Sequence, residues 1–440
     1  MNGTQAVIIA GGKGTRLLPT TGDIVPKSMV PVDGVPLLAR QIDTLRENGV
    51  RDILIATGHL GEVIEEYFGD GSGFGVRIRC FREDAPLGTA GALYELRGEL
   101  ADDFLLVFGD IVFDIDIRRF VGFHRRCGGK GTLLVHPNSH PYDSDIVLAD
   151  AESGRVTGIL PKNEPRDFWY DNCVNAGLYC FSSSIVDTIG RPGFADLEKD
   201  VLARILSGEC AGALYAYRTP EYVKDAGTPE RLEETERALR SGLVQARNLR
   251  LLQRAVFLDR DGTLNEENGL IFREEDFVLV DGAARAVRLL NDAGYLVLVV
   301  TNQPSVARGL CSCGDIETIH RKMTTLLGRE GALLDGIRYC PHHPDKGFPE
   351  ENPAFKIDCA CRKPKTGMID EFVRLYNIDV RASWMVGDTT VDVQAGENAG
   401  LRTILLQTGE AGKDGKYDSQ PHQICDTILE AAQWIASWET

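Results

Sequence analysis

Two aspartates one residue apart, Asp259 and Asp261, close an apolar run in AVFLDRDGTLN. A strand running into such a pair brings both carboxylates out at its carboxyl end, and the i, i+2 spacing suits one nucleophile plus one acid/base group. An aspartate is a workable nucleophile toward phosphorus, because the acyl phosphate it forms is hydrolysed in a second step. The anionic substrate then demands a divalent cation and a nearby lysine to reduce repulsion. The chain supplies such groups in order: Thr301 and Asn302 end LVLVVTN, Lys363 lies in CRKPKTGM, and Asp388 lies in MVGDTTVD. Cys340, His342, Cys359 and Cys361 form two short-spaced pairs around the loop of YCPHHPDKGFPEENPAFKIDCACRKPK. Three thiolates and one imidazole make a tetrahedral zinc site that staples a loop with little apolar content, with His343 as the alternative fourth ligand.

A different chemistry opens the chain. After AVIIA come Gly11, Gly12, Lys13, Gly14, Thr15 and Arg16. Glycines allow bends that a β-carbon would block and leave amide hydrogens free to face an anion, so phosphate is the natural guest. Arg16 adds a fork of donors suited to phosphate oxygens, and Lys27 adds a compact positive charge. A glycine-rich turn alone is more often structural. The ordered set Gly-Gly, Gly-Thr-Arg and Pro26-Lys27 is far more specific.

These loops need strands and helices to aim them. Apolar strand-like runs alternate with helix-like stretches in both halves, which means α/β domains built on mostly parallel sheets, with ligands at the carboxyl ends of the strands. At 440 residues the chain exceeds one hydrophobic core. The polar, helix-forming stretch PERLEETERALRSGLVQARNLRLLQR separates the halves. We expect two Rossmann-like domains, at 1–240 and 254–440, joined by a helical linker at 241–253.

A formal charge of −17, from 65 acidic and 48 basic residues, opposes binding to a phosphate backbone. A nucleic-acid partner is not expected. Neither a bilayer-spanning apolar run nor a signal-like start is present, so the reading is cytoplasmic, with no membrane partner. Of the 11 cysteines, Cys173, Cys180 and Cys210 sit singly in apolar runs and read as small buried hydrophobes. Cys311 and Cys313 read as structurally neutral or weakly reactive thiols.

The first loop resembles the signature of sugar-1-phosphate nucleotidyltransferases. The resemblance extends over roughly residues 5–235, through PLGTAGAL, FGD ending at Asp110, VNAGLY and DAGTPERL. It implies a nucleotide base near Gly88 and Thr89, and catalytic Mg2+ held by Asp110 and Asp225. Arg16 and Lys27 would neutralise charge on the transferred phosphorus and departing pyrophosphate, while Lys162 would contact the sugar phosphate and Asn175 the substrate. Lys162 stands in LPKNEPR, where the family commonly has Glu-Lys-Pro.

The second half, about 254–410, resembles the haloacid dehalogenase superfamily of phosphatases. By that resemblance Asp259 attacks, Asp261 protonates the leaving oxygen and later activates water, and Thr301 and Lys363 orient the phosphoryl group. Asp259, Asp261 and Asp388 would hold Mg2+, with Asp392 behind. The zinc loop ahead of Arg362, Lys363 and Pro364, with TNQPSVARG and DRDGTLN, looks like the bacterial heptose bisphosphate phosphatases and the related histidinol phosphatases. Arg362 would contact a distal phosphate and Asn302 the substrate. Thr389 stands where some heptose enzymes have lysine.

Joined, the two resemblances imply consecutive reactions on small molecules. A heptose 1,7-bisphosphate loses its C7 phosphate, and the heptose 1-phosphate receives a nucleotidyl group, GTP being the favoured donor and ATP the next. The alternative is a hexose-1-phosphate nucleotidyltransferase fused to a histidinol-type or broad sugar phosphatase. Either reading leaves room for a homo-oligomer.

Overall fold

The computed structural model describes residues 3–12, 24–150, 153–210 and 212–438. The chain forms two compact units. Unit 1 takes in residues 1–136, 145–161 and 173–248; unit 2 takes in 137–144, 162–172 and 249–440.

Unit 1 carries β1 (Gln5–Ile9), a small ribbon of β2 (Pro31–Val32) and β3 (Val35–Pro36), β4 (Asp52–Thr57), β5 (Arg77–Arg82), β6 (Asp103–Phe108), β7 (Ile111–Asp114), β8 (Gly131–His136), β9 (Ile146–Ala149), β10 (Val156–Leu160), β11 (Val174–Ser182), β12 (Leu214–Arg218) and β13 (Tyr222–Asp225). The main sheet runs β10-β9-β11-β6-β1-β4-β5, with β8 on β11 and β12 on β8. Parallel pairing of β1 with β4 and β6 puts three carboxyl ends side by side. Ala6 and Ile8 enter one buried cluster and Val7 another, as the two faces of a strand covered on both sides require. β13 pairs with β7 in a separate two-stranded sheet.

Unit 2 carries β14 (Ala255–Leu258), β15 (Leu296–Asn302), β16 (Gly336–Cys340), β17 (Trp384–Gly387), β18 (Arg402–Leu406) and β19 (Gln423–Cys425). They form one sheet in the order β16-β15-β14-β17-β18-β19. Every described pairing in it is parallel. All four residues of β14 are buried, which is why AVFL shows no polar alternation. Both units are thus α/β, as the sequence alternation implies.

The helix-forming stretch 229–254 carries two helices. The helix Pro229–Arg240, capped by Thr228 with proline at its start, is followed by Ser241 and Gly242, whose φ of +75° lies in the left-handed region. A four-residue helix, Leu243–Ala246, comes next, and the last and longest segment of unit 2 starts at residue 249. Glycine tolerates that φ without steric cost, so it interrupts what the polar pattern would otherwise continue. Within unit 2, the segment 162–172 is pinned on the helix Cys313–Arg329. Tyr170 N donates to Thr325 Oγ1 at 3.0 Å, while Thr324 and Thr325 donate to Tyr170 O at 3.1 and 2.9 Å. Among the described residues, no helix is long and apolar enough to cross a membrane.

Candidate functional sites

In unit 1 the first glycine loop leaves the end of β1. A β-carbon on Gly58, just after β4, would stand 2.8 Å from Gly11 O, and one on Gly109, just after β6, 2.8 Å from Ile9 O. Glycines at these strand ends therefore let the backbones close in around residues 9–11. Gly14, Thr15 and Arg16 lie outside the described residues.

Lys27 Nζ meets Asp110 Oδ2 at 2.5 Å. The pairing of β13 with β7 sets Asp225 opposite Ile111, and Ala226 N donates to Asp110 O at 2.9 Å. Two carboxylates more than a hundred residues apart are thereby brought to one ribbon end. A β-carbon on Gly227 would lie 2.6 Å from Asp225 Oδ1 and 2.7 Å from Lys27 Nζ, so Lys27 and Asp225 converge on one point. Arg231 Nη1 holds the other Asp225 oxygen at 2.5 Å.

Gly88 has φ +77°, and its missing β-carbon leaves room for Ala195 O, which would otherwise be 2.5 Å away. Thr89 Oγ1 accepts from Leu197 N at 2.7 Å. Asn175 Nδ2 donates to Glu198 Oε1 and to Tyr179 OH, both at 2.8 Å. Glu83, not singled out in the sequence, accepts from Leu87 N at 3.1 Å, and its Oε1 is buried without a hydrogen-bond partner. Its carboxylate faces Gly11, and burial raises its pKa. Lys162 is exposed and lies in the segment assigned to unit 2.

In unit 2, Asp259 follows β14 and Asp388 follows β17, the neighbouring parallel strand. Lys363 Nζ is 2.9 Å from Asp259 Oδ1 and 2.5 Å from Asp392 Oδ1. Asp392 is set by local sequence: it is the third helical residue of Thr390–Ala399 and closes a reciprocal capping box with Thr389. One oxygen each of Asp259, Asp388 and Asp392 fall within 4.8 Å of one another. Burial first, then Asp392, pushes the Asp259 carboxyl up to about 7. The same causes, with Asp259 added, take Asp388 to about 8. Burial alone would lower the Lys363 ammonium, but Asp259 and Asp392 raise it on balance. Asp388 Oδ1 is buried without a hydrogen-bond partner. Crowded, partly unsatisfied carboxylates of this kind fit a hard divalent cation.

Asp261 turns elsewhere, toward Arg260, Gln303 and Asn265. Thr301 Oγ1 is buried beside them and accepts from Gln303 Nε2 at 3.0 Å. Asn302 brackets the Lys363 backbone, accepting from its N at 3.0 Å and donating to its O at 3.1 Å. Arg362 Nη1 donates to His342 O at 3.1 Å.

Cys340, His342, Cys359 and Cys361 converge, with ligand atoms within 4.8 Å of one another. Cys361 Sγ lies 3.2 Å from Cys340 Sγ, 3.3 Å from Cys359 Sγ and 3.4 Å from His342 Nδ1. Hydrogen bonding from Cys340 pushes the Cys361 thiol down to about 5 and drives Cys340 up in turn. His343 is not among the converging ligands, its Nδ1 accepting from Asp345 N at 3.2 Å. Three sulfurs and one imidazole nitrogen at this spacing fit a tetrahedral metal ion.

The chain matches the nucleotidyl transferase family over residues 5–242 and the HAD-hydrolase-like family over residues 360–431. A D-glycero-beta-D-manno-heptose-1,7-bisphosphate 7-phosphatase of Haemophilus ducreyi is 42% identical over 161 residues, spanning 36% of this chain and 86% of that protein. A mannose-1-phosphate guanylyltransferase of Mycobacterium tuberculosis is 34% identical over 230 residues, 51% of this chain and 62% of that protein. Among solved structures, a D,D-heptose 1.7-bisphosphate phosphatase from B. bronchiseptica, complexed with magnesium and phosphate, is 31% identical and covers 42% of this chain and 98% of its own, with a TM-score of 0.37. The chain thus belongs to the nucleotidyl transferase family through its first half and to the HAD-like phosphatases through its second, and is an enzyme of both classes.

Proposed function

We propose that the chain removes the C7 phosphate of D-glycero-D-manno-heptose 1,7-bisphosphate and then couples the heptose 1-phosphate to a nucleotide, releasing pyrophosphate. The observation that carries this reading is one polypeptide holding an Asp259, Lys363 and Asp388 constellation and a Lys27, Asp110 and Asp225 constellation. The relative specific for heptose bisphosphate matches the half that carries the first of these.

In the phosphatase unit, an Asp259 oxygen attacks the C7 phosphorus, the bond to the sugar oxygen breaks, and Asp261 gives that oxygen its proton. Asp261 then takes a proton from the water that hydrolyses the aspartyl phosphate. Lys363 holds Asp259 in place and lowers repulsion against the phosphate. Asp259, Asp388 and Asp392 would hold Mg2+, whose contribution is to offset charge on the phosphoryl oxygens. Cys340, His342, Cys359 and Cys361 would hold a structural Zn2+. In the other unit, Asp110 and Asp225 would hold Mg2+, and Lys27 stands ready to neutralise the transferred phosphate. GTP is the favoured donor, ATP the next, in a cytoplasmic setting.

A second reading has one specific support, the likeness of the first half to a mannose-1-phosphate guanylyltransferase. In it the acceptor is a hexose 1-phosphate and the phosphatase is of histidinol or broad type. A phosphorus NMR time course with both anomers of heptose 1,7-bisphosphate, mannose 1-phosphate, histidinol phosphate and each nucleoside triphosphate separates the two. Orthophosphate followed by a sugar diphosphate signal from the heptose substrate supports the first reading. Transfer to mannose 1-phosphate alone overturns it.

A further inference from the structure

Arg260, between the two aspartates of the loop, has no exposed surface. Its side chain folds back onto its neighbour: Nη2 donates to Asp261 Oδ1 at 2.8 Å and to Oδ2 at 2.9 Å, and Nε donates to Oδ1 at 3.0 Å. Gln303 Nε2 donates to Asp261 Oδ2 at 2.8 Å, and Asn265 Nδ2 to Oδ1 at 3.1 Å. Arg260 and Gln303 are joined in turn, with Nη2 donating to Gln303 Oε1 at 3.0 Å. Behind them His320 Nε2 stands 3.4 Å from Arg260 Nη1. His320 is itself buried, and burial together with Arg260 holds its imidazole well below its ordinary pKa. The ring is therefore neutral and its Nε2 is the acceptor. Four donor atoms from three side chains converge on one carboxylate, far more than a surface aspartate needs.

We propose that Arg260, Gln303 and Asn265 are positioning residues for leaving-group protonation, fixing the Asp261 carboxyl at the place from which it serves the sugar oxygen. This rests on the phosphatase reading above. When the phosphorus–oxygen bond breaks, its electron pair stays on the sugar oxygen, which takes the Asp261 proton and departs as an alcohol. A p-nitrophenolate departs as a stable anion and needs no proton. Hydrolysis of the aspartyl phosphate also uses Asp261 and is common to both substrates, so the two differ only in the first step: in a single turnover a misplaced Asp261 slows release of the sugar alcohol and spares release of p-nitrophenolate, whereas a generally damaged site slows both.

The test compares heptose 1,7-bisphosphate with p-nitrophenyl phosphate in the full chain, using wild type, Gln303→Leu, Arg260→Lys and Asp259→Asn. Gln303→Leu keeps the buried volume in case Arg260 variants fold poorly. For Gln303→Leu, single-turnover release of heptose 1-phosphate slows about 100-fold, while single-turnover release of p-nitrophenolate changes by less than about threefold. Arg260→Lys, retaining one donor group, falls in between. Equal losses on the two substrates in Gln303→Leu and Arg260→Lys overturn the proposal. Asp259→Asn abolishes both hydrolyses; survival of either in that variant defeats the phosphatase reading itself, a separate failure.

Discussion

Lys363 holds its ammonium 2.9 Å from Asp259 Oδ1, with only 2% of the lysine side chain exposed. Asp392 shares the same nitrogen, so one cation balances two carboxylates. Replacing it by methionine leaves both acids without their cation in a low-dielectric pocket, where an unpaired charge costs about 3–5 kcal/mol. Lys363→Met is expected to lose orthophosphate release by at least about 1,000-fold. Nucleotidyl transfer is expected to persist at wild-type rate. Parallel assays of the two activities, with a urea melt, check both outcomes.

Gly227 offers a cleaner perturbation of unit 1. A methyl group there collides with Lys27 Nζ and Asp225 Oδ1, both ends of movable side chains, at 2.7 and 2.6 Å. The chain accommodates it by shifting those ends, so Gly227→Ala is expected to cut nucleotidyl transfer about 100-fold while moving stability by less than about 1 kcal/mol. Pyrophosphate release and thermal melting measure the two effects. Unchanged transfer would remove Lys27 and Asp225 from the site.

Cys359→Ser removes one sulfur from the cluster around Cys361. One tightly held zinc per chain is expected in the wild type, measured by atomic emission, and its loss or weakening in the variant. Because metal binding at such a site is linked to folding of the loop that bears it, the unfolding midpoint of unit 2 should drop and phosphatase activity with it. A wild type free of zinc after purification in zinc-containing medium would count against this site.

His320 sets a pH dependence whose sign is fixed. Its folded pKa lies well below the ordinary 6.5. As pH falls, the unfolded chain binds the proton first, so stability present above pH 6.5 is lost below it, at up to about 1.4 kcal/mol per pH unit. The raised carboxylates Asp259 and Asp388 shift the other way. The readout is therefore the difference between wild type and His320→Gln in urea melts from pH 8 to pH 5.5. That difference should narrow as pH falls.

Much of unit 2's chemistry is legible in the linear sequence because strand ends deliver it: β14 leads into Asp259, β15 ends at Thr301 and Asn302, and β17 leads into Asp388. The four-member cysteine and histidine set is legible for the same reason, since short spacing within each pair already restricts its geometry. Arg260, Gln303 and Glu83 are not legible, because each takes its role from a partner fixed only by packing, such as Leu87 N for Glu83. Asn302 shows the same limit: its position is readable, but its embrace of the Lys363 backbone is a tertiary fact. In the connecting stretch, Gly242 is the one punctuating residue in a helix-forming composition, and its left-handed φ is where the two helices part.

Asp392 has two duties that cannot be separated. Its Oδ2 accepts the Thr389 hydroxyl and backbone N–H at the start of a helix, while its Oδ1 accepts Lys363. Asparagine could keep one bond of the helix start but would unbalance the lysine. Glutamate would keep the charge and the helix-start bonds but, one methylene longer, would displace the oxygen that Lys363 meets at 2.5 Å. A replacement at this position therefore meets two filters at once, one on folding and one on chemistry.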